Sequence, residues 1–469
     1  SHGTRTTKID KPADITATNG SELSSPPERT IGHTIFAESD EVMRANGINS
    51  FEDLVNYANK VYGGAAAWYD YIREKGHTVS TGNDYTNRWN ALNMFVAYHI
   101  LYASMAQDQL VFEKKSGVPL GTSKWNYVNG ADPYDYYETM LPHTLLKIWE
   151  PQPGKTLYIN RYQTFNTLTN EVGTRGTNHT LVNPGIEIER LDITAYNGYI
   201  HPIKGMLVYN EQVPDGVLNE RLRFEATTFL PEFINNGFRY MLMSEVSAMN
   251  GGNSGARLAF PVDYFDNVIC YNGEQTKLRY NIKGDYRAYQ ADAFQGWGQY
   301  DLAIKLPPVP SGLYEFRLFY SPMGHGGMMQ FYWGTSKNVQ EMTALSIPLD
   351  VRIQESDPRI GWTAFYEEDD MGVASDEAMK NRGYMRGPFS FCVHPGDDGD
   401  QKTTKNCRGD GVVTLRRVLG RVNVKQSEDF WFRFKNVIND DSDLKWQLDF
   451  VEFVPVNVVD DNQYSEDWY

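Results

Sequence analysis

The sequence predicts two folded halves, an α+β domain followed by an antiparallel β-sandwich. Three observations predict this. Two segments in the first hundred residues repeat their apolar side chains at helical spacing, and from about residue 240 apolar and polar residues alternate with period two. Between these regions Val213-Pro214-Asp215-Gly216 forms a turn cluster that marks the boundary. The chain has 469 residues, enough for more than one core.

Residues 1–28 are polar, rich in Thr, Ser, Lys and Pro, and read as a flexible leader. Within them Asp14-Ile-Thr-Ala-Thr-Asn-Gly20 echoes Asp192-Ile-Thr-Ala-Tyr-Asn-Gly198 with one mismatch, either by chance or as the tail of an upstream repeat. The chain opens Ser1-His2-Gly3 without an initiator Met, so a targeting segment is expected outside this sequence.

The first domain is placed at 29–212. Thr34-Ile-Phe-Ala37 reads as a strand. Ser50 is an N-cap, Asp53 sits where a capping carboxylate belongs, and Phe51, Leu54, Val55 and Ala58 follow at helical spacing. A second helix is predicted from Asn87 to Tyr102, with Leu92, Phe95, Val96 and His99 on one face. Over 103–138 the chain turns polar and Tyr-rich (Trp125, Tyr127, Tyr134, Tyr136, Tyr137) and reads as an insertion or large loop. Short strands are expected at Thr156 to Asn160 and within Asp192 to Tyr209. A connecting segment, 213–239, carries a short helix from Glu232 to Asn236 between Pro231 and Gly237.

The sandwich is placed at 240–469. Strands are predicted at Lys277 to Ile282, Tyr300 to Leu306, Leu313 to Tyr320, Ile347 to Ile353 and Phe430 to Phe434, each with one dry and one wet face. Ile347, Leu349, Val351 and Ile353 are expected to share the dry face, and Trp431 to point opposite Phe430, Phe432 and Phe434.

The formal charge is −16. This excludes a nucleic-acid binder, which needs basic stripes, and argues against docking on an anionic membrane. The longest apolar stretch, Leu92 to Met105, is too short to span a bilayer and contains His99. A neutral partner such as a glycan, or a protein, fits the charge. The aromatic surplus (30 Tyr, 23 Phe, 10 Trp) fits β-structure and recognition surfaces.

GxSxG, HExxH, Walker A and dinucleotide fingerprints are all missing, so the sequence predicts no enzyme and no cofactor. A glycosidase needs two carboxylates at a set separation across a sugar, which spacing in sequence does not supply. Gly324-His-Gly-Gly327 reads as a loop. His99 is expected to be a core residue bonded to a backbone carbonyl, and His201 to be structural. The acidic clusters Glu367 to Asp370, Asp397 to Asp400 and Asp440 to Asp443 lack EF-hand spacing and read as solvated loops. No Cys/His metal spacing occurs. Cys392 and Cys407 either close a hairpin disulfide or are free thiols, like Cys270.

The candidate ligand residues lie in the second half. Trp297 stands between two glycines in Gln295-Gly-Trp-Gly-Gln299, and Trp362 follows Gly361 just before the acidic segment; both are read as loop residues. An exposed indole offers a stacking face to a sugar ring. Tyr366, Asp369 and Arg386 are near in sequence and would bind hydroxyls. Trp333 ends the strand Met328 to Trp333, and for all three Trp residues the alternative is a plug at the end of the sandwich.

The first domain resembles the fasciclin family. The resemblance rests on Thr34-Ile-Phe-Ala-Glu-Ser-Asp40, Gly47-Ile-Asn-Ser-Phe-Glu-Asp-Leu54, the Tyr98-His99 box, and the closing signature Asp192-Ile-Thr-Ala-Tyr-Asn-Gly-Tyr-Ile-His201-Pro-Ile-Lys-Gly-Met-Leu207. Asn197-Gly198 is expected to make a tight turn of positive φ between the last two strands. The long 103–138 segment departs from the family pattern. In the second half, Leu306-Pro-Pro-Val-Pro-Ser-Gly-Leu-Tyr-Glu-Phe-Arg317 and Leu448-Asp-Phe-Val-Glu-Phe-Val-Pro455 resemble jelly-roll carbohydrate-binding modules. The combination resembles Bacteroidota surface lipoproteins of Sus-like glycan-utilisation systems. That resemblance implies a non-catalytic protein, held at the outer-membrane surface by an N-terminal lipid anchor, that captures polysaccharide or oligosaccharide for an importer complex. It also allows a structural Ca²⁺. The rival expectation is an adhesion or assembly protein whose first domain contacts another protein.

Overall fold

The computed structural model describes residues 5–8, 23–25, 28–111, 134–150, 156–165, 179–241, 256–282, 292–322, 326–363, 370–387, 414–438 and 444–459. The fold is β-rich, built mainly of antiparallel sheets with a few short helices.

In the first half the central sheet runs Ile193–Ala195, Gly198–Ile203, His33–Glu38, Ile100–Leu101, with Gly198–Ile203 and His33–Glu38 parallel. The helices Phe51–Tyr62 and Ala91–Tyr98 pack together. Ser50 caps the first as expected. Its Oγ accepts from the Asp53 amide (3.2 Å), and the Asp53 carboxylate accepts from Ser50 Oγ (2.9 Å) and the Asn49 amide (3.0 Å). The second helix is shorter than predicted. Asn90 caps it by accepting from the Leu92 amide (3.0 Å), and it ends at Tyr98 because the chain then pairs as a strand with Thr34 and Ile35. Ala91, Leu92, Met94, Phe95 and Tyr98 are its buried residues, so Leu92, Phe95 and His99 of the predicted face are buried and Val96, 47% exposed, departs from it. His99 caps the helix and is buried.

The hairpin at Asn197-Gly198 forms by a different cause from the one expected. Ala195 pairs with Gly198, so Tyr196 and Asn197 are the turn residues, and neither has positive φ. Glycine is required because a Cβ at 198 would collide with the His33 carbonyl oxygen of the neighbouring strand. The Tyr-rich segment also differs from the expected loop. Tyr134–Glu138 is a strand of a four-stranded sheet with Leu145–Trp149, Tyr158–Ile159 and Ile186–Glu187. Tyr136 and Tyr137 are buried, and their hydroxyls donate to Glu220 and to the Leu110 carbonyl. Trp125 and Tyr127 lie outside the described residues. In the expected leader, Arg5–Lys8 pairs with Glu28–Ile31, and Leu23–Ser24 pairs with Ala256–Phe260.

The second half holds three five-stranded sheets. One runs Leu222–Glu225, Phe450–Pro455, Gly312–Tyr320, Leu415–Val424, Tyr384–Arg386. A second runs Val268–Cys270, Asp301–Leu306, Phe430–Asn436, Met328–Gly334, Thr343–Asp350. The third runs Leu23–Ser24, Ala256–Phe260, Thr276–Ile282, Asp292–Gly298, Lys445–Leu448. The first two meet through Phe316, whose ring centroid is 5.3 Å from Phe430, 5.1 Å from Phe432 and 4.8 Å from Phe453. The connecting segment is therefore no mere linker, because its Leu222–Glu225 strand is an edge of the second half's sheet.

Strands form where the alternation predicts them, except that the one expected at Ile347 to Ile353 lies at Thr343–Asp350. The expected wet faces are largely buried: Arg279 and Asn281 on Thr276–Ile282, Asp301 on Asp301–Leu306, and Trp431 and Arg433 on Phe430–Asn436 are all buried. On Gly312–Tyr320 the second face is also buried, at Arg317 and Phe319. That face carries Glu452, fully buried among guanidinium groups: Arg223 at 2.7 Å, Arg416 at 3.3 Å, Arg221 at 3.5 Å and Arg317 at 3.7 Å. At the edge strand Thr343–Asp350 the pairing with Met328–Gly334 slips by a bulge and Ser346 takes φ 52°. Leu345 and Leu349 are buried, whereas Ile347 is 77% exposed, against the expected shared face. One continuous core joins both halves. Gln426 Nε2 donates to Tyr209 Oη and to the His143 carbonyl, both at 2.9 Å.

Candidate functional site

A cleft with a volume of about 410 Å³ lies where the two halves and the connecting segment meet. This falls within the usual size of about 300–1,000 Å³ for small-molecule sites, which favour such boundaries. Glu28–Ile31, residues 101–103 and the end of Tyr134–Glu138 form one side. The helices Ala226–Phe229 and Pro231–Asn235 form the second, and Asn267 with Lys305 to Pro307 the third. Pro231 begins its helix without an orphaned amide, and Gly237 (φ 74°) ends the turn that follows.

Its walls are aromatic. Tyr102 is 42% exposed, and Phe229 is half-buried. Asn235 braces Tyr102 by donating to its carbonyl (3.2 Å) and accepting from the Ser104 amide (2.8 Å). The floor is polar. Arg29 donates to Asp266 Oδ1 (2.7 Å) and to the Tyr264 carbonyl (2.6 Å), and lies 3.5 Å from Glu232 Oε1. Lys305 pairs with Asp429 at 2.8 Å. Glu138 ends its strand at the cleft, half-buried, and burial pushes its carboxyl up to about 7 against the pull of the Lys305 ammonium. Glu232 is also raised, again chiefly by burial, and its Oε2 has no hydrogen-bond partner among the described residues. Such a cleft can stack a flat apolar face and offer acceptors to hydroxyl or amine donors.

The residues singled out from sequence fall elsewhere and do not form one site. Trp297 is not in a loop. It lies in the Asp292–Gly298 strand, with the Arg279 guanidinium 4.6 Å from its ring centroid. Its flanking Gly296 reflects close approach, because a Cβ there would collide with the Lys277 carbonyl and the Trp446 ring. Trp362 is half-buried against the core, and its Nε1 is buried without a partner among the described residues. Arg386 is engaged by Asp376, at 2.8 Å and 3.0 Å, rather than turned to solvent. Trp362 and Arg386 both lie beside the helix Asp370–Lys380, since Thr363 donates to Ser375 there. No described contact joins either to Trp297. Trp333 stacks on Phe430 (5.1 Å, 14°), as a plug would. Trp431 is buried. Tyr366, Asp369, Cys392, Cys407, the clusters at 397–400 and 440–443, and the acidic residues at 367–369 lie outside the described residues. Among the described residues no cluster of His, Cys, Asp and Glu is grouped to hold a metal.

His201 is buried, with Nε2 2.9 Å from the Met105 carbonyl and Nδ1 3.3 Å from Asp192, and burial lowers its pKa. The cleft residues Tyr102, Phe229 and Glu138 had no signal of their own in the sequence beyond the general Tyr enrichment. They meet only because separate segments of the chain around Tyr102, Glu138 and Phe229 close on one another.

Among known proteins, no family model, no curated protein and no solved structure matches this chain. No helix among the described residues is long and apolar enough to cross a membrane.

Proposed function

We propose that this chain is a non-catalytic glycan-binding protein of the bacterial surface that captures polysaccharide for an outer-membrane importer. In this reading the first half is a fasciclin-like α+β domain and the second a jelly-roll-like β-sandwich. A lipid anchor before the leader holds the protein at the outer membrane, and Ca²⁺, if bound, is structural. The observation that carries the reading is the cleft with Tyr102 and Phe229 as walls and a floor rich in acceptors. Sugars present an apolar ring face and peripheral hydroxyls, and this lining complements both. The strong acidity of the chain favours uncharged or basic ligands over anionic ones.

The test is calorimetry of the whole chain against a polysaccharide panel. Tyr102→Ala and Phe229→Ala should each weaken the positive ligand by about 1–3 kcal/mol, the scale for truncating an aromatic anchor. Trp297→Ala and Trp362→Ala test the sequence-derived surface in the same assay. Absence of binding across the panel refutes the reading.

One observation favours adhesion or assembly instead. Leu191, Ile193 and Tyr196 are exposed at one edge of the first half's central sheet, with Tyr196 80% exposed. Apolar residues beside a free strand edge suit a protein partner. Retained glycan binding in an Ile193→Lys/Tyr196→Lys variant would separate this edge from glycan capture.

A further inference from the structure

We propose that the cleft is selective for a sugar bearing a primary amine, with the ammonium seated at Glu138; this rests on the glycan reading above. The argument begins with the cleft's charges. Arg29 and Lys305 are its two lining cations, and both are already engaged, Arg29 by Asp266 at 2.7 Å and Lys305 by Asp429 at 2.8 Å. Glu138 makes no hydrogen bond and no direct ion pair among the described residues, and Lys305 acts on it only from a distance. A second carboxyl oxygen, Glu232 Oε2, lies buried behind the same wall without a donor. Counting Asp429, four carboxyl groups face two cations. His143, 3.6 Å from Asp429, adds no cation at neutral pH, because burial lowers its pKa.

A carboxyl withdrawn from water and left without a donor is costly, and a ligand that supplies the donor recovers that cost. A hydroxyl supplies a neutral hydrogen bond. An ammonium supplies a charge-assisted one and also balances the surplus carboxyl. Its advantage grows in a partly enclosed recess such as the cleft that holds half-buried Glu138. Tyr102 and Phe229 supply the ring-stacking walls that hold the rest of the sugar. An anionic sugar is disfavoured by the same carboxyl surplus.

The experiment is calorimetry at pH 7.5 on the whole chain with three β-1,4 disaccharides that differ only at C2: the glucosamine dimer, its diacetylated form and cellobiose. The amine form should bind about tenfold or more tightly than either neutral dimer, the scale of one charge-assisted hydrogen bond. Glu138→Gln should remove that preference while leaving cellobiose binding within about twofold. A thermal melt checks that this variant folds. Independently of any variant, wild-type affinity for the amine form should fall as salt rises from 0.05 to 0.5 M, while cellobiose affinity stays flat. Equal affinities for the three dimers, or a flat salt response for the amine, would overturn the inference while leaving the glycan reading intact. Binding of polysaccharides on the wider panel without binding of the amine dimer would overturn it too. Silence of the whole panel would sink the glycan reading itself.

Discussion

Replacing His99 by Ala should destabilise the first half by roughly 3–5 kcal/mol, the scale for breaking a buried pair and leaving a charge behind. His99 is 4% exposed, with Nδ1 2.7 Å from the Phe95 carbonyl and Nε2 3.0 Å from Glu38 Oε1. Both partners are acceptors, so both ring nitrogens face groups that need a donor. The side chain of Glu38 is itself 3% exposed, and it also accepts from the Leu207 amide at 2.9 Å. Deleting the imidazole therefore strips the helix end of its cap and leaves a buried carboxyl with one bond. It also opens a cavity beside Phe95, whose ring lies 4.6 Å away. The Glu38 contact explains why the cost exceeds the roughly 1–3 kcal/mol expected from a single lost backbone hydrogen bond. The assay is urea unfolding followed by far-UV circular dichroism, in which the midpoint falls while the slope is unchanged. In a double-mutant cycle with Glu38→Ala, the double variant should lose less than the sum of the singles by about 1–3 kcal/mol. A single variant that loses under about 1 kcal/mol, or strict additivity of the pair, would refute the reasoning.

Three further outcomes follow from the geometry. Gly198→Ala should lower the melting temperature by several degrees or abolish soluble expression, because its Cβ meets the His33 carbonyl; a wild-type melt would show that the two strands separate without cost. Burial would raise the Glu452 carboxyl, but Arg416, Arg223, Arg221 and Arg317 outweigh it and hold it at about 2. Since this folded-state value lies below the ordinary 4.5, its contribution is complete above about pH 4.5 and is lost as pH falls toward 2. Glu452→Gln should flatten that acid limb in a pH series of melts, and an unchanged limb would count against the cluster. Trp297→Ala should cost about 1–2 kcal/mol, since a half-buried ring and its Arg279 cation–π contact are lost; a neutral effect in thermal melts would mean the indole is as free as its glycine neighbours suggested.

Much of this molecule was legible along the chain, where the physics is local. Ser50 and Asp53 announce a helix start because a cap acts within three residues. The period-two runs at Thr276–Ile282, Asp301–Leu306 and Phe430–Asn436 announce strands because pleating alone alternates side chains. Other features were decided only by partners distant in sequence. Gly198 and Gly296 are fixed by a neighbouring strand's carbonyl, which no local pattern reveals, so the first was read as a turn and the second as a loop flank. Arg317 looked solvent-facing by alternation, yet it is buried, because Glu452 arrives on the adjacent strand to neutralise it. Ile347 looked buried by the same rule, and a bulge of two extra residues between Leu345 and Leu349 leaves it facing outward. The cleft belongs to this second kind. Tyr102, Glu138, Phe229 and Lys305 are unremarkable in their own segments, and they become a site only where loop closure brings the two halves and their connecting helices together.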